Sequence, residues 1–287
     1  GPSSSTITSP GTARKAITVG ATYKKNYEPF LFKCLYKRDT FCGFCSKEGE
    51  EILCNNDWQE DQITYFSSRG PVRFDNYQQR LNKPNVVAPG AFICSARYDK
   101  RYSEGVDPYK HPCLDEEHLQ MAGTSMSAPM VAGAVALLKQ KNPDWTPEEI
   151  KMALENTAVD IGEDINVQGY GRIDIVESIK LENPPLITEI KTSGGIEERT
   201  DIVGTARGKG FEYYELFYKK DFSIEWNLIC KGNNPIENGI LCPDFNPRDL
   251  SNGDYYFKLD AYDTNGKKGY SKNSFSIFFP NLTIEEP

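Results

Sequence analysis

Two different periodicities of apolar residues divide the chain. Up to about residue 182, short apolar runs that fit buried parallel strands, at residues 16–21 and 85–90, alternate with longer apolar segments. Residues 128–138 are apolar on nearly every face of a helix, so we expect that helix to need burial on all sides. Residues 146–149, Thr-Pro-Glu-Glu, carry the N-cap, first-turn proline and capping-box acid of a second helix start. Alternating strands and helices predict an α/β fold with a parallel sheet.

A change to period two marks a second domain. Residues 182–185, Glu-Asn-Pro-Pro, are typical of a linker, and beyond them apolar and polar residues alternate as in half-buried strands. We therefore predict an α/β domain over residues 1–182 and a small all-β sandwich domain over residues 183–287. In the clearest strand one face carries Tyr255, Phe257, Leu259 and Ala261. Similar runs lie at residues 201–205, 213–219, 226–231 and 274–279.

The cysteines point to an oxidising compartment. Half of the eight cysteines lie in residues 24–62, an aromatic and charged segment that we interpret as a surface insertion. An even number of clustered cysteines favours disulfides. Cys230 and Cys242 flank a loop rich in Gly, Asn and Pro and form one predicted pair, and Cys94 with Cys113 forms another. The four cysteines of the insertion could form disulfides or bind a zinc ion, and the sequence leaves both alternatives open. These cysteines are Cys34, Cys42, Cys45 and Cys54.

Charge and hydropathy exclude two classes of partner. The formal net charge is −8 and no basic tract is present, which argues against nucleic-acid binding. No apolar run approaches the roughly 18 residues that a membrane helix needs. Asn281 begins an Asn-Leu-Thr acceptor pattern for N-glycosylation. Together with the cysteines, this pattern predicts an extracellular or secreted glycoprotein without a membrane span.

The candidate chemistry lies in residues 123–129, Gly-Thr-Ser-Met-Ser-Ala-Pro. The segment places Ser125 at the start of the apolar helix, beside backbone N–H groups that have no acceptor within the helix. A serine hydroxyl needs a general base, and the base needs an orienting group, before it can act as a nucleophile. Gly123 allows close backbone approach, and the Ser125 N–H can contribute to an oxyanion hole. An isolated Thr-Ser pair before a helix would be interpreted as an ordinary N-cap. The longer motif around it is what favours a catalytic serine.

Five motifs, in order along the chain, resemble those of the subtilisin-like serine proteases, the subtilases. Residues 123–138 are similar to the family's nucleophile segment, with Met130 where many members have histidine. The other four motifs lie at residues 10–21, 66–71, 83–90 and 169–174, with Asn85 where aspartate is frequent. The resemblance covers about residues 1–180 apart from the insertion. It implies a partial subtilisin-like parallel sheet with buried helices, and it makes Ser125 the catalytic nucleophile.

The same resemblance implies that other catalytic groups lie outside the chain. Subtilase triads follow the order Asp, His, Ser, and the motifs for the Asp, the His and the oxyanion-hole Asn precede the segments found here. The chain opens on Gly-Pro-Ser-Ser-Ser, like an internal segment, so we expect an N-terminal fragment to supply those three residues. The histidines of the chain are His111 and His118. The resemblance places His118 in a strand or loop before the nucleophile turn, where it is not expected to act as the base.

Substrate and cation positions are likewise implied by the resemblance. A protein or peptide substrate is expected to contact the specificity pocket and the residues that flank the nucleophile, namely Thr8, Ser9, Thr124 and Ser127. No cofactor is expected for catalysis. A structural calcium is expected at backbone carbonyls, as often in the family, and the corresponding residues are Gly11, Ala13 and Ala16.

Two hypotheses for the function remain open at this point. The first is a secreted serine endopeptidase to which this chain contributes the nucleophile. The alternative is a catalytically inactive fragment or subunit that acts as a structural or protein-binding module. An incomplete sheet would leave one side of the helix at residues 128–138 uncovered, so we expect the chain to be stable only with an N-terminal fragment or as an oligomer.

Overall fold

The computed structural model describes most of the chain, with gaps. The described residues are 3–23, 45–48, 51–54, 61–74, 79–91, 93–97, 111–112 and 117–279. The predicted insertion at residues 24–62 is therefore described only at residues 45–48, 51–54 and 61–62. Asn281 and Cys113 lie outside the described residues, as do Cys34 and Cys42.

The first part of the chain is a mixed α/β structure. Its strands are β1 (Val19–Thr22), β2 (Cys45–Glu48), β3 (Glu51–Cys54), β4 (Val72–Phe74), β5 (Gln79–Leu81), β6 (Val86–Pro89), β7 (Ile93–Ala96), β8 (His111–Pro112) and β9 (His118–Met121). Its helices are α1 (Thr124–Lys141), α2 (Pro147–Asn156), α3 (Ile165–Gln168) and α4 (Ile175–Lys180). β1 and β6 pair in parallel, in a register that places Val19 opposite Val86 and Thr22 opposite Pro89. The remaining strands of this part pair as antiparallel hairpins and a three-stranded sheet.

Helix α1 packs on the parallel pair through one apolar face. Val131, Ala134 and Leu138 are buried there, in a cluster that includes Val86 of β6 and Ile150 of α2. α2 begins as predicted: the Thr146 hydroxyl accepts from the Glu149 N–H, and the Glu149 carboxylate accepts from the Thr146 N–H at 2.7 Å. This capping box satisfies two N–H groups that the first turn leaves without partners.

The second part is a β-sandwich, as predicted. Its strands are β10 (Ile187–Ile190), β11 (Gly194–Gly195), β12 (Thr200–Arg207), β13 (Phe211–Lys220), β14 (Asn227–Gly232), β15 (Ile236–Phe245), β16 (Gly253–Asp263) and β17 (Lys268–Ile277). They form two sheets, with orders β10-β12-β15 and β11-β17-β16-β13-β14. The alternating face of β16 is buried as the period of two predicts, with Tyr255 at 3% exposure and Phe257 at 0%. Phe257 stacks on Phe275 with a centroid separation of 3.9 Å, inside one core that draws side chains from both sheets.

The α/β part and the sandwich are joined by direct polar contacts. Asn156 at the end of α2 accepts from the Tyr270 N–H at 2.9 Å, and the Tyr170 hydroxyl accepts from the Lys272 N–H at 3.1 Å. The rings of Tyr170 and Tyr270 also lie 5.6 Å apart. The fold class is confirmed in both parts, whereas the boundary at residue 182 stays a prediction.

One predicted disulfide is confirmed. Cys230 of β14 is bonded to Cys242 of β15, with their Cα atoms 6.1 Å apart. Because β14 and β15 belong to different sheets, this bond covalently links the two layers of the sandwich. Cys94 is also disulfide-bonded, but its predicted partner is not described. Cys45 faces Cys54 in the register of β2 and β3, and the choice between disulfides and zinc in the insertion stays open.

Removing the inter-sheet disulfide is expected to destabilise the sandwich. The bond closes a loop with a sequence separation of 12, and the chain-entropy model assigns such a loop about 3 kcal/mol. We therefore expect the Cys230→Ala/Cys242→Ala double variant to lose about that much free energy of unfolding, measured by urea denaturation with tryptophan fluorescence. A denaturation midpoint equal to that of the wild type would contradict this prediction.

Candidate functional site

Ser125 is presented at the open start of a helix. It is the second residue of α1 and is exposed. Gly123, the N-cap residue, has φ 154° and provides no side-chain cap. The N–H groups of Thr124 and Ser125 find no acceptor among the described residues. An uncapped helix start combines free N–H donors with the positive end of the helix dipole, so it favours negative charge that develops beside Ser125.

The turn before Ser125 is fixed at the carboxyl end of the parallel pair. The Gly123 N–H donates to the Gly90 carbonyl at 2.8 Å, and the Gly90 N–H donates to the Thr22 carbonyl at 2.9 Å. Gly90 directly follows β6, and Thr22 ends β1. Ligands of open parallel sheets bind outside the carboxyl ends of the strands. The backbone therefore places Ser125 where such a sheet supports a binding site.

Ser127 and Thr124 differ in their surroundings. Thr124 is half-buried. Ser127 has 0% exposure, and its hydroxyl donates to the Ala88 carbonyl of β6 at 3.0 Å. The predicted substrate contact of Ser127 gains no support from this geometry, because the side chain is turned toward the sheet. The sequence missed this role, since Ala88 lies 39 residues away along the chain.

No described contact joins Thr8 or Ser9 to Ser125. Both are exposed, in the segment that precedes β1. The neighbouring Thr6 N–H donates to the Arg69 carbonyl at 2.9 Å, which ties this segment to the motif at residues 66–71. A role for Thr8 and Ser9 in the specificity pocket stays a prediction.

The carbonyl groups predicted to bind calcium already accept hydrogen bonds. The Thr18 hydroxyl donates to the Gly11 carbonyl at 2.6 Å, and the Lys83 ammonium donates to the Ala16 carbonyl at 2.6 Å. A calcium ion at Ala16 would lie beside the positive charge of Lys83, which costs electrostatic energy. The Lys83 ammonium therefore disfavours a cation at the Ala16 carbonyl, but these contacts do not decide the expectation of calcium at Gly11, Ala13 and Ala16.

Lys83 belongs to a buried polar network that the sequence did not reveal. Its side chain is fully buried, and its ammonium also donates to the Asn85 side-chain oxygen at 2.7 Å. The Asn85 amide donates in turn to the buried Glu155 carboxylate at 2.8 Å. Burial lowers the pKa of Lys83 to about 8 and raises the pKa of Glu155. This network ties the start of β6 to α2. In the sequence, Lys83 stands among polar residues just before the apolar run at residues 85–90, so nothing there indicated its burial.

The two histidines of the chain lie in β8 and β9, the strands that precede the nucleophile turn. His118 begins β9 and lies opposite Ala96 of β7. His111 is described only in its backbone, which pairs with Gln120. Among the described contacts, none joins Ser125 to a histidine or to an acid.

Known sequences resemble the part of the chain that carries this site. A sequence model of the subtilase family matches residues 1–172. The chain belongs to the subtilase family. The match includes all of α1 and the motifs that hold it, so the family assignment rests on the same residues as the geometry of Ser125.

Curated relatives of this subtilase chain carry protease names. The serine protease AprX of Bacillus subtilis is 33% identical over 180 residues, which cover 62% of this chain and 33% of AprX. The subtilisin-like protease SBT1.9 of Arabidopsis thaliana is 39% identical over 126 residues, covering 44% of this chain and 16% of that protein. The minor extracellular protease Vpr of Bacillus subtilis is 36% identical over 129 residues, covering 43% of this chain and 14% of Vpr. The chain thus spans about a third or less of the length of these relatives.

Solved structures match the subtilase chain only in part. MycP1 from Mycobacterium smegmatis is 32% identical, covering 38% of this chain and 28% of that chain, with a TM-score of 0.28. So low a TM-score says nothing about the site.

In the described part of the chain, the helices are too short or too polar to cross a bilayer.

Proposed function

We propose that this subtilase chain contributes the nucleophile of a serine endopeptidase that cleaves protein or peptide substrates. The observation that carries the proposal is the exposed Ser125 at the uncapped start of α1, with free N–H donors beside its hydroxyl. The Ser125 oxygen attacks the scissile carbonyl carbon and gives up its proton to a base. The developing oxyanion accepts a hydrogen bond from the Ser125 N–H. The protease names of the relatives support the same reaction class.

The base and its orienting acid are proposed to come from a preceding N-terminal segment of the protein. The described contacts give Ser125 neither group, and the family order places Asp and His before Ser. The same segment is proposed to supply the asparagine that completes the oxyanion hole. The larger size of the relatives, of which this chain spans about a third or less, supports such a segment.

The outer face of α1 supports the docking of that segment. Met130 and Leu137 are 36% and 48% exposed, and Gly133 lies between them with no atom near the position of a Cβ. These three residues follow one stripe at helical spacing. An exposed apolar stripe on the helix that carries the nucleophile is costly in water, so a segment that covers it would remove that cost, and we propose that it also brings the catalytic groups to Ser125.

Labelling with a fluorophosphonate tests the proposal. The probe reacts with an activated serine, so we expect no labelling of residues 1–287 alone and rapid labelling of Ser125 when the upstream segment of the same reading frame is co-produced. The Ser125→Ala variant of the same pair is the control and should not label. Efficient labelling of the chain alone would contradict the missing base, and no labelling of the pair would contradict the proposed function.

The alternative is an inactive structural or protein-binding module. One observation favours it, namely that Ser125 has no catalytic partner among its described contacts. It predicts that the co-produced pair stays unlabelled although the two segments bind each other. Size-exclusion chromatography of the pair, run beside the labelling assay, separates this outcome from a failure of the segments to associate.

Secretion into an oxidising compartment is part of the proposal. The disulfide between Cys230 and Cys242 and the disulfide-bonded Cys94 support it, since such bonds persist outside the cytosol. The name of the relative Vpr includes the word extracellular, which agrees with this location. Glycosylation at Asn281 stays part of the same proposal.

Addition of calcium is expected to leave the stability of the 1–287 chain unchanged. The Lys83 ammonium is proposed to take the position at the Ala16 carbonyl that a cation would need. A bound ion at 100 times its Kd would add about 2.7 kcal/mol. We therefore expect thermal unfolding curves without added calcium and with excess calcium to coincide within about 1 °C, because an ion that does not bind the folded state cannot shift the unfolding equilibrium. A rise of several degrees in calcium would contradict this expectation.

A further inference from the structure

The two serines near the start of α1 point to opposite sides of the helix. Ser125 and Ser127 are two residues apart, which corresponds to about 200° around a helix. Ser125 is exposed, and Ser127 has 0% exposure. The Ser127 hydroxyl therefore contacts the sheet below the nucleophile, at the Ala88 carbonyl of β6, 3.0 Å away.

The first turn of α1 has few other restraints. No side chain caps it, and its N-cap is a glycine. Pro129 lies inside the helix and has no N–H to donate to the Ser125 carbonyl. An uncapped helix start with a missing backbone hydrogen bond frays readily. Contacts to the sheet must therefore hold Ser125 in place.

Two hydrogen bonds provide those contacts, one on each side of Ser125. The Gly123 N–H donates to the Gly90 carbonyl at 2.8 Å, and the Ser127 hydroxyl donates to the Ala88 carbonyl. Gly90 makes room for the second bond, because a Cβ there would lie 2.2 Å from the Ser127 oxygen. The hydroxyl and the glycine thus fit each other closely at the end of β6.

We propose that Ser127 is a positioning residue, whose hydrogen bond to Ala88 holds the first turn of α1 so that the Ser125 hydroxyl and N–H keep their orientation toward the substrate. The proposal deepens the proposed function and rests on it. Displacement of a reacting group by about 1 Å costs up to 100-fold in rate. Loss of one buried hydrogen bond corresponds to about a tenfold change, since about 1.4 kcal/mol is a factor of ten.

Two readouts on the Ser127→Ala variant test the proposal. The first is amide hydrogen exchange at Gly123 and Met126, the two amides of this turn that donate hydrogen bonds, which needs no catalysis and which we expect to become about tenfold faster than in wild type. The second is the rate of fluorophosphonate labelling of Ser125 in the co-produced pair, expected to fall about tenfold at unchanged probe affinity. Unchanged exchange together with an unchanged labelling rate would overturn the proposal.

Two further variants separate positioning from general destabilisation. Ser178→Ala removes another fully buried hydroxyl, one on α4 that donates to the carbonyl of the N-cap residue Asp174 at 2.9 Å, and should change neither readout. Ser127→Cys keeps the approximate volume with a weaker donor, so both readouts should fall between wild type and Ser127→Ala. If the cysteine variant fully matches wild type, Ser127 acts only by packing and the proposal is wrong.

The exchange measurement also separates a failure of the proposed function from a failure of the positioning role of Ser127. A wild-type pair that does not label, combined with faster exchange in Ser127→Ala, would contradict the proposed function and leave the fixing of the turn supported. A wild-type pair that labels, with no effect of Ser127→Ala on either readout, would contradict the positioning role alone.

Discussion

Replacement of Ser125 by alanine is expected to abolish peptide hydrolysis by the co-produced pair of segments. The alanine side chain has no oxygen to attack the scissile carbonyl, so the covalent route is lost while the oxyanion donors remain. Removal of the nucleophile from a protease triad lowers kcat by a factor on the order of 10⁶, a magnitude known from subtilisin. The measurement is kcat on a chromogenic peptide substrate, with the pair compared to the same pair carrying Ser125→Ala.

Controls for this prediction use the exposed position of the residue. Ser125 is exposed in the first turn of α1, and alanine is a good helix former, so the urea midpoint should stay close to that of wild type. Ser95→Ala replaces another exposed serine, in β7, and should leave kcat unchanged. Residual activity near wild type in Ser125→Ala would assign the nucleophile elsewhere and contradict the proposed function.

The sequence predicted those features that depend on neighbours along the chain. The capping box of Thr146 and Glu149 spans three residues, and the buried face of β16 follows from its period of two. The start of α1 is likewise set by adjacent residues, the Gly-Thr-Ser turn at residues 123–125. Each of these features is set by spacing within one element, which a linear pattern records directly.

The features that sequence reasoning missed depend on contacts between distant residues. Lys83 donates to a carbonyl 67 residues away, and Asn85 donates to Glu155 70 residues away. Nothing in the local pattern identifies either acceptor. The resemblance suggested a cation at the Ala16 carbonyl, and the structure places the cationic end of a side chain there. For Ser127, helical spacing separates it from Ser125, but only the fold shows its acceptor.

Two glycines of the family motifs lie where the backbone leaves no room for a side chain. A Cβ at Gly70 would lie 2.3 Å from the Lys83 carbonyl oxygen, and one at Gly171 would lie 2.1 Å from the Val159 carbonyl oxygen. Both contacts are with backbone, which cannot move aside as a flexible side chain can. The motifs at residues 66–71 and 169–174 are therefore required for packing around β6, and β6 in turn supports the turn that carries Ser125.

Gly169→Ala is expected to cause the largest loss of stability among the single changes considered. Gly169 has φ 64°, and a Cβ there would lie 2.2 Å from the Asn85 carbonyl oxygen. The left-handed backbone costs a non-glycine residue about 1–3 kcal/mol, and overpacking costs a further 1–3 kcal/mol. We therefore expect a loss of about 4 kcal/mol in the free energy of unfolding, a large part of the 5–15 kcal/mol of a typical domain.

Urea denaturation of Gly169→Ala measures this loss, and Gly195→Ala is the matched control. No atom lies within 4 Å of a Cβ built at Gly195, so that variant should stay within about 0.5 kcal/mol of wild type. The Asn85 carbonyl also accepts from the Tyr170 N–H at 2.8 Å, and Asn85 directly precedes β6. A methyl group that displaces this carbonyl is therefore expected to displace the start of β6. We expect the same variant to label more slowly with fluorophosphonate in the co-produced pair, because β6 carries the Ala88 and Gly90 carbonyls that hold the nucleophile turn. Wild-type stability in Gly169→Ala would mean that the turn at residues 169–171 yields easily and that β6 is not held by it.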